Sequence, residues 1–336
     1  MAIIDVFCHA LPPAFVTAVR ELNTGPKTMF ERATAMPVMV DLNARFRVMD
    51  LFEDYRQVIS LASPVVESLG EPSDAARLAR IGNAEMAQWV QDHPDRFVGH
   101  VASLPMSDIN KALKEIHVAV AQEGALGIQL YTNVLGRPLD APEFRCVFET
   151  MAELKRPIWL HPIRAANRAD YASESISKYD LWWAFGWPHE TSVAMGRLVY
   201  AGIFDRWPEL TIITHHAGGT LPMIGGRLQA NEQLLGSRYS EADQGAAETS
   251  LKEPPNDALR RFYADTATFG SATAIRAGLD YFGLEHMLFA SDMPFDPEQG
   301  PGNIQRGLQA IAELNLTPIE KEQLLNGNAT RLFNRP

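Results

Sequence analysis

Pro157-Ile-Trp-Leu-His161-Pro162 is an apolar run of strand length that stops on a histidine, and Pro162 ends the ladder behind it. Three other stretches share this form: Asp5-Val-Phe-Cys-His9, Thr214-His-His216-Ala-Gly-Gly219 and Phe289-Ala-Ser-Asp292-Met-Pro294. In each, an apolar run ends at an imidazole or a carboxylate. Three histidines and an aspartate, far apart in the chain but each at a strand end, form the pattern of a site at the C-terminal mouth of a (β/α)8 barrel. One such residue alone reads as a hydrogen-bonded core group; four together do not.

Around these runs the chain alternates strand and helix patterns. The apolar stretches 3–7, 57–62, 97–102, 126–130, 157–161, 210–214, 261–266 and 287–291 read as strands buried on both faces. Between them, apolar residues recur at three and four over 74–93, 109–122, 143–154, 191–206, 221–235 and 271–281, with a closing helix over 317–333. Eight strands alternating with helices predict an α/β fold, a TIM barrel spanning 1–336 as one domain. Residues 12–42 and 164–188 do not fit the unit and read as insertions after strands one and five, on the C-terminal face. The second carries Tyr171, Tyr179, Trp182, Trp183, Phe185 and Trp187. It reads as a substrate cover, an oligomer contact, or a loop packed on its own aromatics. Trp187, and Phe295 just past Asp292, are the candidate contacts for a planar substrate.

Composition excludes several classes. The 336 residues are 46% hydrophobic, enough for a large core. A net charge of −11 without a basic stripe argues against nucleic acid, and a bound anion then needs local arginines. Two cysteines, Cys8 and Cys146, give neither a disulfide framework nor a thiolate cluster, which suits a reducing compartment. The N-terminus enters a strand without a basic leader, and no run is long enough to span a membrane. A cytoplasmic protein is expected.

Strand alternation places residues 5, 7 and 9 on one face, with Cys8 on the other. Asp5 then lies ~6.6 Å deeper than Phe7, in a structural hydrogen bond. His215 and His216 are neighbours, so alternation allows one of them to face inward. His216 is assigned to the site and His215 to a structural role. His100, inside its strand, reads as a satisfied core histidine. His93, His117 and His286 read as surface or cap positions, and His189 as a helix start. Arg164, just past His161, is a candidate partner for a substrate anion. Arg45 and Arg47 read as solvated helix surface.

These motifs together resemble the amidohydrolase-related decarboxylases, relatives of aminocarboxymuconate-semialdehyde decarboxylase and γ-resorcylate decarboxylase. Phe7-Cys-His9, the His-Pro after strand five, the His-x-Gly-Gly after strand six and the Ser-Asp-x-Pro-Phe after strand eight carry the likeness. Arg45-Phe-Arg-Val-Met-Asp50, Gly127-Ile-Gln129 and Asn326-Gly-Asn-Ala-Thr-Arg331 extend it over nearly the whole chain. The resemblance implies metal ligands at positions 7, 9, 161 and 292, and a catalytic histidine at His216. It also implies an arginine, Arg227, offered to the neighbouring protomer's substrate carboxylate. Position 7 departs from the family, which has His or Glu there: phenylalanine cannot ligate metal. His9, His161 and Asp292 still supply three ligands, and Cys8 faces away.

The expected activity is metal-assisted decarboxylation of an unsaturated or aromatic carboxylic acid. A divalent ion, zinc or manganese, would serve, with no organic cofactor. Asp292 and His216 would be the acid–base pair, and the assembly a homodimer or larger. The same groups would serve a hydrolase or hydratase of a lactone, amide or conjugated keto acid. Phe7 keeps a metal-free or non-catalytic barrel open.

Overall fold

The computed structural model describes residues 2–22, 28–232, 234 and 251–334. Its main sheet runs in chain order: β1 (Ile3–Ala10), β2 (Tyr55–Leu61), β3 (Phe97–Ser103), β4 (Gly127–Tyr131), β5 (Ile158–His161), β6 (Ile212–Thr214), β7 (Tyr263–Asp265) and β8 (Met287–Leu288). Every neighbouring pair is parallel. The sheet returns on itself. Val6 N–H donates to Phe289 O at 2.9 Å, and His9 N–H to Met293 O at 2.8 Å. This is the expected (β/α)8 barrel. Among the described residues no helix is long and apolar enough to cross a membrane.

The helices follow the apolar pattern, with local differences. The helix expected over 191–206 is two, Gly186–Tyr200 and Ile203–Arg206, because Gly202 turns left-handed at φ 75°. Pro301–Glu313 adds a helix after β8. Residues 12–42 lack a readable period but hold helices Pro13–Glu21, Thr28–Thr34 and Pro37–Val40. Pro13 and Pro37 start two of them, where the missing N–H costs nothing. Each is too short for a 3.6 period to stand out.

Two apolar layers hold the barrel. Ile4, Val6, Phe7, Val58, Val101, Trp159, Ile213 and Leu288 fill its inside. Trp159 is fully buried there, and its Nε1 donates to Val6 O at 3.0 Å. Cys8, Ala10 and Ile59 pack outward with the helices. Strand β1 therefore does not alternate simply. Its register against β2 shifts between Asp5 and Cys8, a bulge that turns both Val6 and Phe7 inward. Asp5 consequently lies on the outer side with Cys8, not on the face of Phe7 and His9.

That outer side of β1 is a buried polar seam. Tyr55 OH donates to Asp5 Oδ2 at 2.5 Å, and Ser291 N–H to Asp5 Oδ1 at 3.0 Å. Burial pushes the Asp5 carboxyl up, against these hydrogen bonds. Arg45 is fully buried here rather than solvated. Asp41 caps the helix Leu42–Met49, whose inner face, Ala44, Arg45 and Met49, turns to the barrel. Arg45 Nη1 donates to Gln57 Oε1 at 2.8 Å, and Nη2 donates to His9 O. Arg45→Ala should cost about 1–3 kcal/mol, because it leaves the buried Gln57 and His9 oxygens without their donor. Urea unfolding followed by tryptophan fluorescence checks this; a loss near zero would show that the seam does not depend on Arg45.

Candidate metal centre and active site

Each strand-end histidine is held by its Nδ1. His9 Nδ1 lies 3.3 Å from Ser60 Oγ, His161 Nδ1 2.7 Å from Pro162 O, and His216 Nδ1 2.7 Å from Ala267 O. His215 Nδ1 bonds the Asp265 carboxylate. Carbonyl partners mean that Nδ1 of His161 and His216 carries the proton, leaving Nε2 with its lone pair. The ligand atoms of His9, His161 and His215 all lie within 4.8 Å of one another, as do those of His215, His216 and Asp292. Asp292 Oδ1 stands 3.1 Å from His9 Nε2 and 3.4 Å from His215 Nε2.

His215 is therefore at the site, together with His216, and its assignment to a structural role is corrected. Alternation fails because the strand has already ended. His216, Ala217, Gly218 and Gly219 have φ of 55°, 53°, 76° and 67°. This left-handed run folds the two rings onto one another, with centroids 3.7 Å apart. The glycine pair was the available signal, since it marks backbone that has left the sheet. Asp292 is also left-handed, at φ 60°. Strain of this kind persists only where surroundings hold it.

Phe7 lies among the imidazoles. Its ring stacks on His215 at 3.9 Å and lies 5.5 Å from His9 and 5.8 Å from His161, centroid to centroid. Burial and the neighbouring His9 and His215 push His161 well below the ordinary imidazole range. Burial and His215 lower His216 to about 4. Burial also disfavours charge on His215, but Asp265 and then Asp292 outweigh it and raise His215 to about 9. Burial works against ionised Asp292, yet the adjoining His215 and His9 hold it well below the carboxylate range. Asp292 is thus an anion among imidazoles.

The donor set fits a cation. Nε2 of His9 and of His215 are buried without a hydrogen-bond partner, although both point at Asp292. Two ligands on one tetrahedral zinc-sized ion stand ~3.3 Å apart, close to the 3.1 and 3.4 Å found here.

A cavity of about 670 Å³ opens over this cluster, lined by His161, Asp292, Trp182, Trp183, Trp187 and Phe295 among others. The Trp187 ring lies 5.4 Å from His161 and the Phe295 ring 5.5 Å from His9. Arg32, on helix Thr28–Thr34, also lines it. One arginine in a short charged stretch gives no sequence signal. Arg164 is not on this wall: its Nη1 lies 3.4 Å from Glu190 Oε1 and its Nη2 donates to Ala169 O at 3.2 Å. Arg227 is exposed on helix Leu221–Glu232, away from the wall. His100 is not satisfied: its Nε2 is buried without a partner, and burial lowers its pKa to about 4.

Imidazoles and a carboxylate converging on the C-terminal mouth of a parallel barrel define an enzyme that works through strand-end side chains. The profile of the amidohydrolase family matches residues 4–335, and the chain belongs to that family. It is 28% identical over 274 residues to the 2-amino-3-carboxymuconate-6-semialdehyde decarboxylase of Dictyostelium discoideum, covering 81% of this chain and 71% of that one. It is 29% identical over 302 residues to the γ-resorcylate decarboxylase of a Polaromonas species, covering 86% of each. Its fold superposes with a TM-score of 0.82, at 21% identity, on a 5-carboxyvanillate decarboxylase from Novosphingobium aromaticivorans, covering 99% and 97% of the two chains. That structure holds manganese and 3-methoxy-4-hydroxy-5-nitrobenzoic acid. The resemblance to the decarboxylase branch of the family is borne out.

Gly219 closes the turn that presents His216. An added Cβ would stand 2.3 Å from Pro188 O, on backbone at φ 67°. Gly219→Ala should lower stability by about 1–3 kcal/mol, read as a fall in the thermal midpoint. An unchanged midpoint would mean that the turn relaxes freely.

Proposed function

We propose that this protein removes CO2 from a planar unsaturated or aromatic carboxylic acid, using a divalent metal, zinc or manganese, and no organic cofactor. One observation carries the reading: imidazole nitrogens and an ionised Asp292 converge at an aromatic-walled cavity that is also lined by Arg32. Relatives of the chain are named decarboxylases of such acids.

His9, His161 and Asp292 would hold the metal. Bound there, it supplies Lewis acidity that fixes an anionic substrate and draws off developing charge. Trp187 and Phe295 would bound a slot for a flat ring. Arg32 offers a planar fork to a carboxylate, against the overall negative charge. His216 Nε2, with Nδ1–H fixed by Ala267 O, takes a proton from water as the substrate binds and delivers it. An anionic substrate beside it raises its proton affinity. The proton adds to the carbon that bears the carboxylate, and the carbon–carboxylate bond breaks. Its electron pair returns to the ring or conjugated system, and CO2 leaves.

Incubation of metal-loaded protein with dihydroxybenzoates, 5-carboxyvanillate and carboxymuconate-type acids should release CO2 from at least one of them. A panel that gives only hydrolysis or hydration would sink the reading. His216→Ala should lower the rate ~10²–10⁴-fold with the fold intact. An unaffected rate would remove His216 from the proton path.

The reading includes a cytoplasmic homodimer or larger assembly, with Arg227 reaching the partner's substrate. Supporting it, Arg227 is exposed and outside its own cavity wall, and Phe185 and Met223 are exposed apolar side chains. Mixing Arg227→Ala with His216→Ala subunits should restore activity, because one hybrid site keeps both groups. A fully active monomer would refute this arrangement.

A further inference from the structure

We infer that His215 is itself a ligand of the divalent ion, so that the centre is His9, His161, His215 and Asp292, with Asp265 as the positioning residue of His215. The inference rests on the metal reading above.

Four features of the geometry point the same way. First, His215 Nε2 is buried, lacks a hydrogen-bond partner, and stands 3.4 Å from Asp292 Oδ1, the oxygen that His9 Nε2 also approaches. Second, its ligand atom groups with those of His9 and His161 within 4.8 Å, whereas His216 groups with His215 and Asp292. Third, its Nδ1 bonds Asp265, itself held by the N–H of Ala267 at 3.0 Å and of Ala217 at 3.5 Å. A carboxylate on the far nitrogen is how a ligating imidazole is oriented and made more basic. Fourth, Phe7 stacks at 3.9 Å and His216 at 3.7 Å. Two rings that close must lie on opposite faces, so the imidazole is clamped with Nε2 aimed at the cluster.

A purely structural histidine would have no need for its ligand atom to group with those of His9 and His161. A histidine acting only as a proton carrier would leave metal affinity untouched when removed. Phe7 then has a positive role: it brings no ligand, but its ring packs the one that His215 brings.

The test reads metal binding, not turnover. The protein is stripped with chelator and titrated with Co²⁺ and Zn²⁺ against a competing chelator. His215→Ala and His215→Gln should weaken affinity more than ~100-fold, and Asp265→Asn ~10–100-fold, with His216→Phe, which keeps a ring stacked on His215, close to the unsubstituted protein. Thermal melts of the metal-free variants check folding. The unsubstituted Co²⁺ protein gives an independent count by proton NMR. Hyperfine-shifted exchangeable imidazole signals should come from His9, His161 and His215. Signals from His9 and His161 alone, with His215→Ala and His215→Gln binding as tightly as the unsubstituted protein, would overturn the inference and leave the metal reading standing. Unsubstituted protein that takes up no Co²⁺, Zn²⁺ or Mn²⁺ would defeat the metal reading, and this inference with it.

Discussion

The barrel closes at the same point where its chemistry is assembled. A parallel sheet has no free edge only if its last strand pairs with its first. Here that pairing is short: Val6 to Phe289 and His9 to Met293. Arg45 reinforces it from outside by donating to the carbonyl of His9. Asp292, one residue before Met293, reaches across the seam to His9 Nε2. The closure, the buried guanidinium and the ligand pair are therefore one structure.

The fold was legible because its signal is repetitive. All eight strands overlap the apolar runs; His161 ends its strand, His9 lies one residue short of the end of β1, and Asp292 lies four residues past the short β8. What was not legible lies where local backbone departs from the regular period. The β1 bulge moves Asp5 to the outer side while keeping Phe7 and His9 inward. The left-handed run from His216 brings both histidines to one place. Alternation counts residues, and both features add or bend a residue without changing its type. Arg45 was misread for another reason. Nothing in a charged helix shows that one arginine faces a buried carbonyl until the strand beneath it is known.

Charge at the site is arranged by burial rather than by number. The chain is negative overall, yet the cluster sets its single central carboxylate, Asp292, among imidazoles. His161 and His216 are kept neutral by burial and by nearby His215, whereas Asp265 holds the Nδ1 side of His215. Neighbouring residues of identical type are thereby driven in opposite directions, His216 to about 4 and His215 to about 9. Environment rather than residue type sets the direction. Here it follows from which carboxylate each ring can reach.

Phe7 shows how an apolar residue can sit inside a polar centre without breaking it. An aromatic edge or face beside imidazoles costs little when the ring nitrogens point elsewhere. In this site each Nδ1 has a partner of its own, in Ser60, Pro162, Asp265 or Ala267. The rings can pack on one another because their polar edges are already assigned. Phe7 dries the inner side of the cluster and leaves the outer side to the cavity. A drier floor strengthens every charge interaction above it. The residue that looked from sequence like a missing donor thus also sets the dielectric in which the remaining donors act.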